Sequence, residues 1–156
     1  RGPLQRALAE LEHFGSAQRH FEVARLAHQR GEVALTVRHL QATLAADPEH
    51  ASAQHLTGLV ALRLGDARGA LSAFDTAERL DPGHAFGDAL LHRAHCRSLL
   101  GQHDAALRDF AAHAEQHGGG RRSQLWHGDA LERSGQREAA RVHWREAASA
   151  PSTRLT

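Results

Sequence analysis

Four columns of residues recur along this chain at one shared spacing, and that spacing constrains the fold more than any single residue does. Ala24, Gly58, Ala94 and Gly128 are separated by 34, 36 and 34 positions. Gly31, Gly65, Gly101 and Gly135 keep the same intervals, as do Thr36, Ala70, Ala106 and Ala140, and again Leu40, Phe74, Phe110 and Trp144. A common period with the same two-residue slip in every column marks one unit of structure repeated four times. Such arrays stack unit on unit, so they present extended surfaces more often than enclosed reaction chambers.

Composition fits helical units. At 156 residues the chain can bury about two-thirds of its unfolded surface as one domain. Ala, Leu, Arg, Glu and Gln dominate, while aromatic residues make up 4% and prolines number four. Lys, Tyr, Ile, Asn and Met are absent, so every fixed positive charge is an arginine. That pattern reads as the codon bias of a GC-rich, bacterial genome. The 19 basic residues are interspersed with 18 acidic ones and form no basic run, which argues against a nucleic-acid partner. Fourteen histidines leave the net charge sensitive to mild acid.

Cys96 is the single cysteine, which excludes an intrachain disulfide. No run of about 20 apolar residues is available to span a bilayer. A cytoplasmic setting is favoured, with the periplasm as the alternative. The start at Arg1 rather than methionine suggests a piece of a longer chain.

The second unit shows the local logic. Ala51 to Leu64 reads as a helix that Gly65 ends, because glycine takes the left-handed conformation that satisfies the last carbonyls. Asp66 stands where an N-cap is wanted, and Ala67 to Leu80 forms the second helix, with Ala70, Leu71, Phe74 and Ala77 along one face. Asp81-Pro82 closes it, since the residue before proline is pushed out of the helical region. So short a connection between the helices makes them an antiparallel pair. Gly58 and Ala70 fall at the crossing, where small side chains permit close approach, and Phe74 fills the wedge beyond.

A small residue, a glycine turn, an alanine, an aromatic and then Asp-Pro at a 34-residue period resembles the tetratricopeptide repeat. The resemblance implies an all-α, right-handed superhelix: a leading helix over 3–14, then units at 17–50, 51–84, 85–120 and 121–151. Departures from the family pattern occur. His20, Gln54, Leu90 and Gln124 replace the opening aromatic, and Ala27, Ala61, Arg97 and Leu131 replace a later large residue. Arg93 falls where an apolar residue is expected, and the third unit runs into Gly118-Gly119-Gly120 with no closing proline. Its two extra residues are expected in the loop from Pro82 to Gly87, with the helix that follows as the alternative.

The residues offer little for catalysis. His113 and His117, or His92 and His95, can share a helix face, but neither pair has the further ligands that zinc requires. Cys96 reads as a small buried hydrophobe. The triple glycine before Arg121-Arg122 lacks the strand and lysine of a phosphate loop. Trp126 and Trp144 occupy packing positions. The expectation is a non-enzyme with no cofactor and no metal.

The resemblance instead implies a concave wall built from the first helix of each unit. Its inward residues would be Phe21, Arg25 and His28; His55, Leu59, Leu62 and Arg63; Leu91, His95 and Ser98; and Arg122, Leu125, Asp129 and Glu132. Apolar side chains mixed with arginine suit a peptide segment of a partner protein that carries acidic groups, since arginine holds a carboxylate through two parallel bonds. The Lys and Asn that clamp chaperone C-termini in one subclass are absent. The alternatives are a regulatory or substrate-presenting domain of a larger enzyme or signalling protein, and self-assembly. A homodimer through the fourth unit is the form expected of the latter, because Val142 and Trp144 would be partly uncovered.

Overall fold

The computed structural model describes residues 2–150, the side chain of Leu11 excepted. They form eight helices: α1 (Pro3–Gln29), α2 (Val33–Ala46), α3 (Ala51–Arg63), α4 (Ala67–Leu80), α5 (Asp88–Leu99), α6 (His103–His117), α7 (Arg121–Arg133) and α8 (Arg137–Ser149). Helices pack as α1 on α2, α3 on α4, α5 on α6 and α7 on α8, and neighbouring hairpins stack through α2–α3, α4–α5 and α6–α7. This is the all-α repeat architecture that the shared period requires. The closing Pro151 of the fourth unit lies outside the described residues.

The turn chemistry follows the sequence closely. Gly31, Gly65, Gly101 and Gly135 all take left-handed backbone, with φ between 74° and 89°. Only glycine occupies that region without steric cost, so the column is a set of helix stops. The Asp66 carboxylate accepts the Gly69 amide at 2.9 Å and caps α4. Helices α2 and α4 end immediately before Asp47-Pro48 and Asp81-Pro82.

One boundary differs from expectation. The leading helix placed at 3–14 is not a separate element, because α1 runs unbroken through Gly15 and Ser16 to Gln29. A glycine inside a helix costs only about 1 kcal/mol relative to alanine, and no proline is present there to stop propagation. The outer half of α1 consequently leaves Leu4, Leu8 and Phe14 exposed.

The two-residue slip sits in the α4–α5 connection, which runs from Asp81 to Gly87, whereas the α2–α3 connection needs only Asp47 to His50. The longer loop is tightly wound: Gly83, Ala85, Phe86 and Gly87 all have positive φ, at 78°, 54°, 56° and 85°. Ala85 and Phe86 carry a Cβ into a region that disfavours it. Phe86 is 93% exposed, so burial of its ring does not offset that cost.

The departures from the repeat pattern compensate one another. Arg93 donates to Asp109 through two bonds of 2.9 and 3.0 Å and reaches Asp75 at 3.1 Å. Arg97 adds a 2.7 Å bond to the same Asp109 carboxylate. Two arginines on an apolar column are therefore matched by a buried aspartate on α6, and the set ties α4, α5 and α6 together. Where the opening aromatic is replaced, polar pairs cross between the two helices of a unit. His20 meets His39 at 2.9 Å in the first unit, and Gln124 meets His143 at 2.6 Å in the fourth.

The small column works through backbone approach. A Cβ added at Gly58 would lie 2.7 Å from the ring of Phe74, which is fully buried. A Cβ at Gly128 would meet the Trp144 indole at 2.5 Å. Gly58→Ala is therefore expected to lose about 1–3 kcal/mol through overpacking, despite alanine's better helix propensity. Urea unfolding is the check: a midpoint equal to or above that of the parent would refute the close-approach argument.

Candidate binding wall

The inner half of α1 together with α3, α5 and α7 forms one continuous wall, because side chains on these helices bond to one another directly. His50, the N-cap of α3, lies 3.0 Å from Gln18 on α1. His55 on α3 lies 2.6 Å from Asp88 on α5. Arg122 on α7 donates to the other oxygen of Asp88. These links run from unit to unit, across the repeat rather than within it.

At the first two units the wall is apolar and positively charged. Phe21 is half-buried, its ring 4.7 Å from that of His50. Arg25 is exposed and paired with Glu22 at 2.8 Å, one helical turn before it. Leu59 and Leu62 are half-buried, with one side against the Ala70, Phe74 and Cys96 cluster. Arg63 is exposed and has no carboxylate partner among the described residues. Burial and the neighbouring Arg63 charge lower the pKa of His28.

The third and fourth units are different in character. Leu91, expected on the inward face, is only 4% exposed and packs with Ala94, Ala106 and Phe110. Ser98 is likewise buried. The reason is local: α5 presses against α4, α6 and α7, so its inward face is covered by neighbouring helices. His95 stacks on Trp126 with ring centroids 4.1 Å apart, and burial pushes its pKa down to about 4. Arg122 lies over the same indole, 5.1 Å from its centroid, so its charge is engaged twice within the chain. Leu125 and Asp129 are exposed. Glu132 meets Arg137 at 3.6 Å. Val142 is 48% exposed and Trp144 is half-buried.

Asp88 is the residue that sequence reasoning missed. It opens α5, with its carboxylate 21% exposed and shared among His55, His92 and Arg122. Burial alone would raise its pKa, but hydrogen bonds from His55 and His92 outweigh that and hold the carboxyl far below the usual carboxylate range. A signal was present in the i, i+4 spacing of Asp88 and His92. What no spacing reveals is that His55 reaches the same oxygen from the preceding unit. His113 and His117, the pair that spacing favoured, do lie together at 5.2 Å. Cys96 is fully buried and its thiol is pushed up to about 12, as an inert core sulfur should be.

Two crevices adjoin the wall. One of about 240 Å³ opens between α2 and α3 and is lined by Val37, Leu40, Leu44, Val60 and Leu64. The other, of about 280 Å³, lies beside the α4–α5 loop among Phe86, Asp88, His113, His117 and Arg122.

Burial also depresses His127, to about 4, where it stacks on Phe110 and meets His143. An imidazole kept neutral in the fold but free to charge when unfolded stabilises the native state above about pH 6.5. That stability is lost as pH falls from there toward 4. Urea midpoints should therefore drop between pH 7 and pH 5, and the paired change His95→Gln with His127→Gln should remove much of that drop. An undiminished pH dependence in the double variant would place the proton-linked groups elsewhere.

No protein-family model matches the chain. A 73-residue segment, 47% of the chain, is 41% identical to Protein FlbA of Caulobacter vibrioides, and the match spans only 12% of that protein. The structure superposes on YrrB, described as a TPR protein with an unusual peptide-binding site, with TM-score 0.77 and 21% identity over 85% of this chain and 68% of the other. It is equally similar to MamA, with TM-score 0.75 and 19% identity over 85% and 77% of the two chains. MamA from Desulfovibrio magneticus RS-1 gives 0.76 and 19% over 86% and 75%. With eight helices paired into four units and these neighbours, the chain has the tetratricopeptide-repeat fold.

Proposed function

We infer that the chain is a non-enzymatic protein-interaction module that holds a peptide segment of a partner along the α1–α3 part of its inner wall. The observation that carries this reading is the state of Arg63: exposed, free of any carboxylate among the described residues, and flanked by half-buried Leu59 and Leu62. A cation beside apolar side chains is what an acidic peptide needs, with burial supplying affinity and guanidinium geometry supplying orientation. The peptide-binding site ascribed to YrrB on the same fold supports the assignment. Arg25 joins Arg63 as a second grip once its bond to Glu22 opens, a small cost for an exposed ion pair. Phe21, His28 and His55 flank the path. His95, Leu125 and Asp129 extend it only if the peptide continues past the Asp88 cluster.

A second reading, as a regulatory or substrate-presenting domain of a longer protein, is favoured by the FlbA match, which occupies a small part of that protein. It is compatible with the first, since such a domain also works by holding a partner. Self-assembly through the fourth unit would use the exposed Val142.

Arg63→Glu is expected to weaken binding of a captured partner peptide about tenfold or more, the loss of one charge-assisted contact, while leaving helical content unchanged. Arg122→Glu should have the smaller effect on affinity, because that guanidinium is already committed to Asp88. Calorimetry showing unchanged affinity for the Arg63 variant would assign the partner to another face.

A further inference from the structure

We propose that His55, Asp88 and His92 form a binding site for a divalent transition-metal ion of the zinc type, fastening the second unit to the third. Their ligand atoms all lie within 4.8 Å of one another, the one such group of three donors among the described residues. The donor set, two imidazole nitrogens and a carboxylate oxygen, suits zinc, cobalt or nickel rather than calcium or magnesium.

Distances place the group close to a bound geometry. His55 Nε2 is 2.6 Å and His92 Nδ1 is 3.1 Å from the same Asp88 oxygen, Oδ2. Around tetrahedral zinc, with bonds of about 2.0–2.1 Å, neighbouring ligand atoms stand about 3.3 Å apart. The two edges to Asp88 open by about 0.7 and 0.2 Å to admit the ion, and the two imidazole nitrogens, which stand within 4.8 Å, draw in toward the same spacing. Each ring presents an unprotonated nitrogen to the ion, so the bonds from the two rings to Asp88 give way as the ion enters.

The surroundings hold the ligands in place. His92 is 6% exposed, stacked on Phe74 at 4.8 Å and edge-on to Trp126 at 5.1 Å. His55 packs edge-on against the same Phe74 ring at 5.8 Å. Arg122 occupies Oδ1 of Asp88 and leaves Oδ2 to the histidines, an outer-shell bond that orients the carboxylate. The fourth position falls to water or to His84, whose ring lies 5.4 Å from His55. The other histidine contacts, His20 with His39, His113 with His117 and His127 with His143, are pairs without a third ligand among the described residues.

Calorimetry with zinc chloride on the untagged 156-residue chain tests this. The expected result is one equivalent bound at low-micromolar Kd or tighter, and a melting temperature that rises with excess zinc. His55→Gln should weaken that equivalent about 100-fold, whereas His113→Gln with His117→Gln leaves it intact. Binding no tighter than about 100 μM, or a tight equivalent that survives His55→Gln, overturns the proposal. Should His55→Gln lose helical content, ¹⁵N resonances of the histidine rings in the unaltered chain decide. Zinc-induced shifts centred on His55 and His92 support the site, and shifts centred on other rings refute it. No peptide is present in any of these measurements, so their outcome is independent of the partner-binding reading.

Discussion

Everything in this solenoid depends on how closely the two helices of a unit approach, and that is set by one small residue facing one large one. Glycine faces an aromatic ring in two units, Gly58 opposite Phe74 and Gly128 opposite Trp144, each leaving no space for a Cβ. Alanine holds the column in the other units, Ala24 in the core cluster of Leu40 and Ala94 in that of Phe110. What each unit keeps at the crossing is a small residue, glycine or alanine, beside a large apolar one, as close packing requires. With the crossing distance fixed, a left-handed glycine at each turn makes the helices antiparallel, and stacking repeats the same geometry down the chain.

The fold was legible because its determinants are local and periodic. A helix stop and a small–large pair each act within one unit, and a period of 34, 36 and 34 shows them four times over. What the period could not show was compensation between columns. Arg93 and Arg97 look like defects until Asp109 is placed opposite them, 16 and 12 residues away in sequence. A buried arginine without its aspartate would be strongly destabilising, whereas the bidentate pair with Asp75 alongside satisfies most of the donors. The same holds for His20 with His39 and Gln124 with His143, where a hydrogen bond between helices replaces the contact of an aromatic ring.

Of the inward residues that the resemblance implies, those of the first two units are accessible, whereas Leu91 and Ser98 are covered for a related reason. A superhelical inner face is a good first guess for every unit, and it places Phe21, Leu59, Leu62 and Arg63 where a partner could reach them. It fails at Leu91 because α5 meets α7 directly, as well as α4 and α6, and its apolar residues are used up in that contact. The longer loop before α5 contributes. With Gly83, Ala85, Phe86 and Gly87 in left-handed backbone, it delivers Asp88 to the start of α5, facing His55 of the unit before and Arg122 of the unit after.

The irregularity in the period therefore divides the inner wall into two kinds of surface. Before it, charge is unspent: Arg63 faces solvent and Arg25 is held only by a neighbour on its own helix. After it, polar groups are paired internally, with Asp88 neutralising Arg122 while Trp126 covers His92 and His95. Coulomb attraction for an incoming carboxylate is strong only where the local cation is not already compensated, and screening by salt confines it to about 10 Å. The proposed partner's acidic group would find its uncompensated cation at the α1–α3 end of the wall, while Asp88 links the second, third and fourth units through His55 and Arg122.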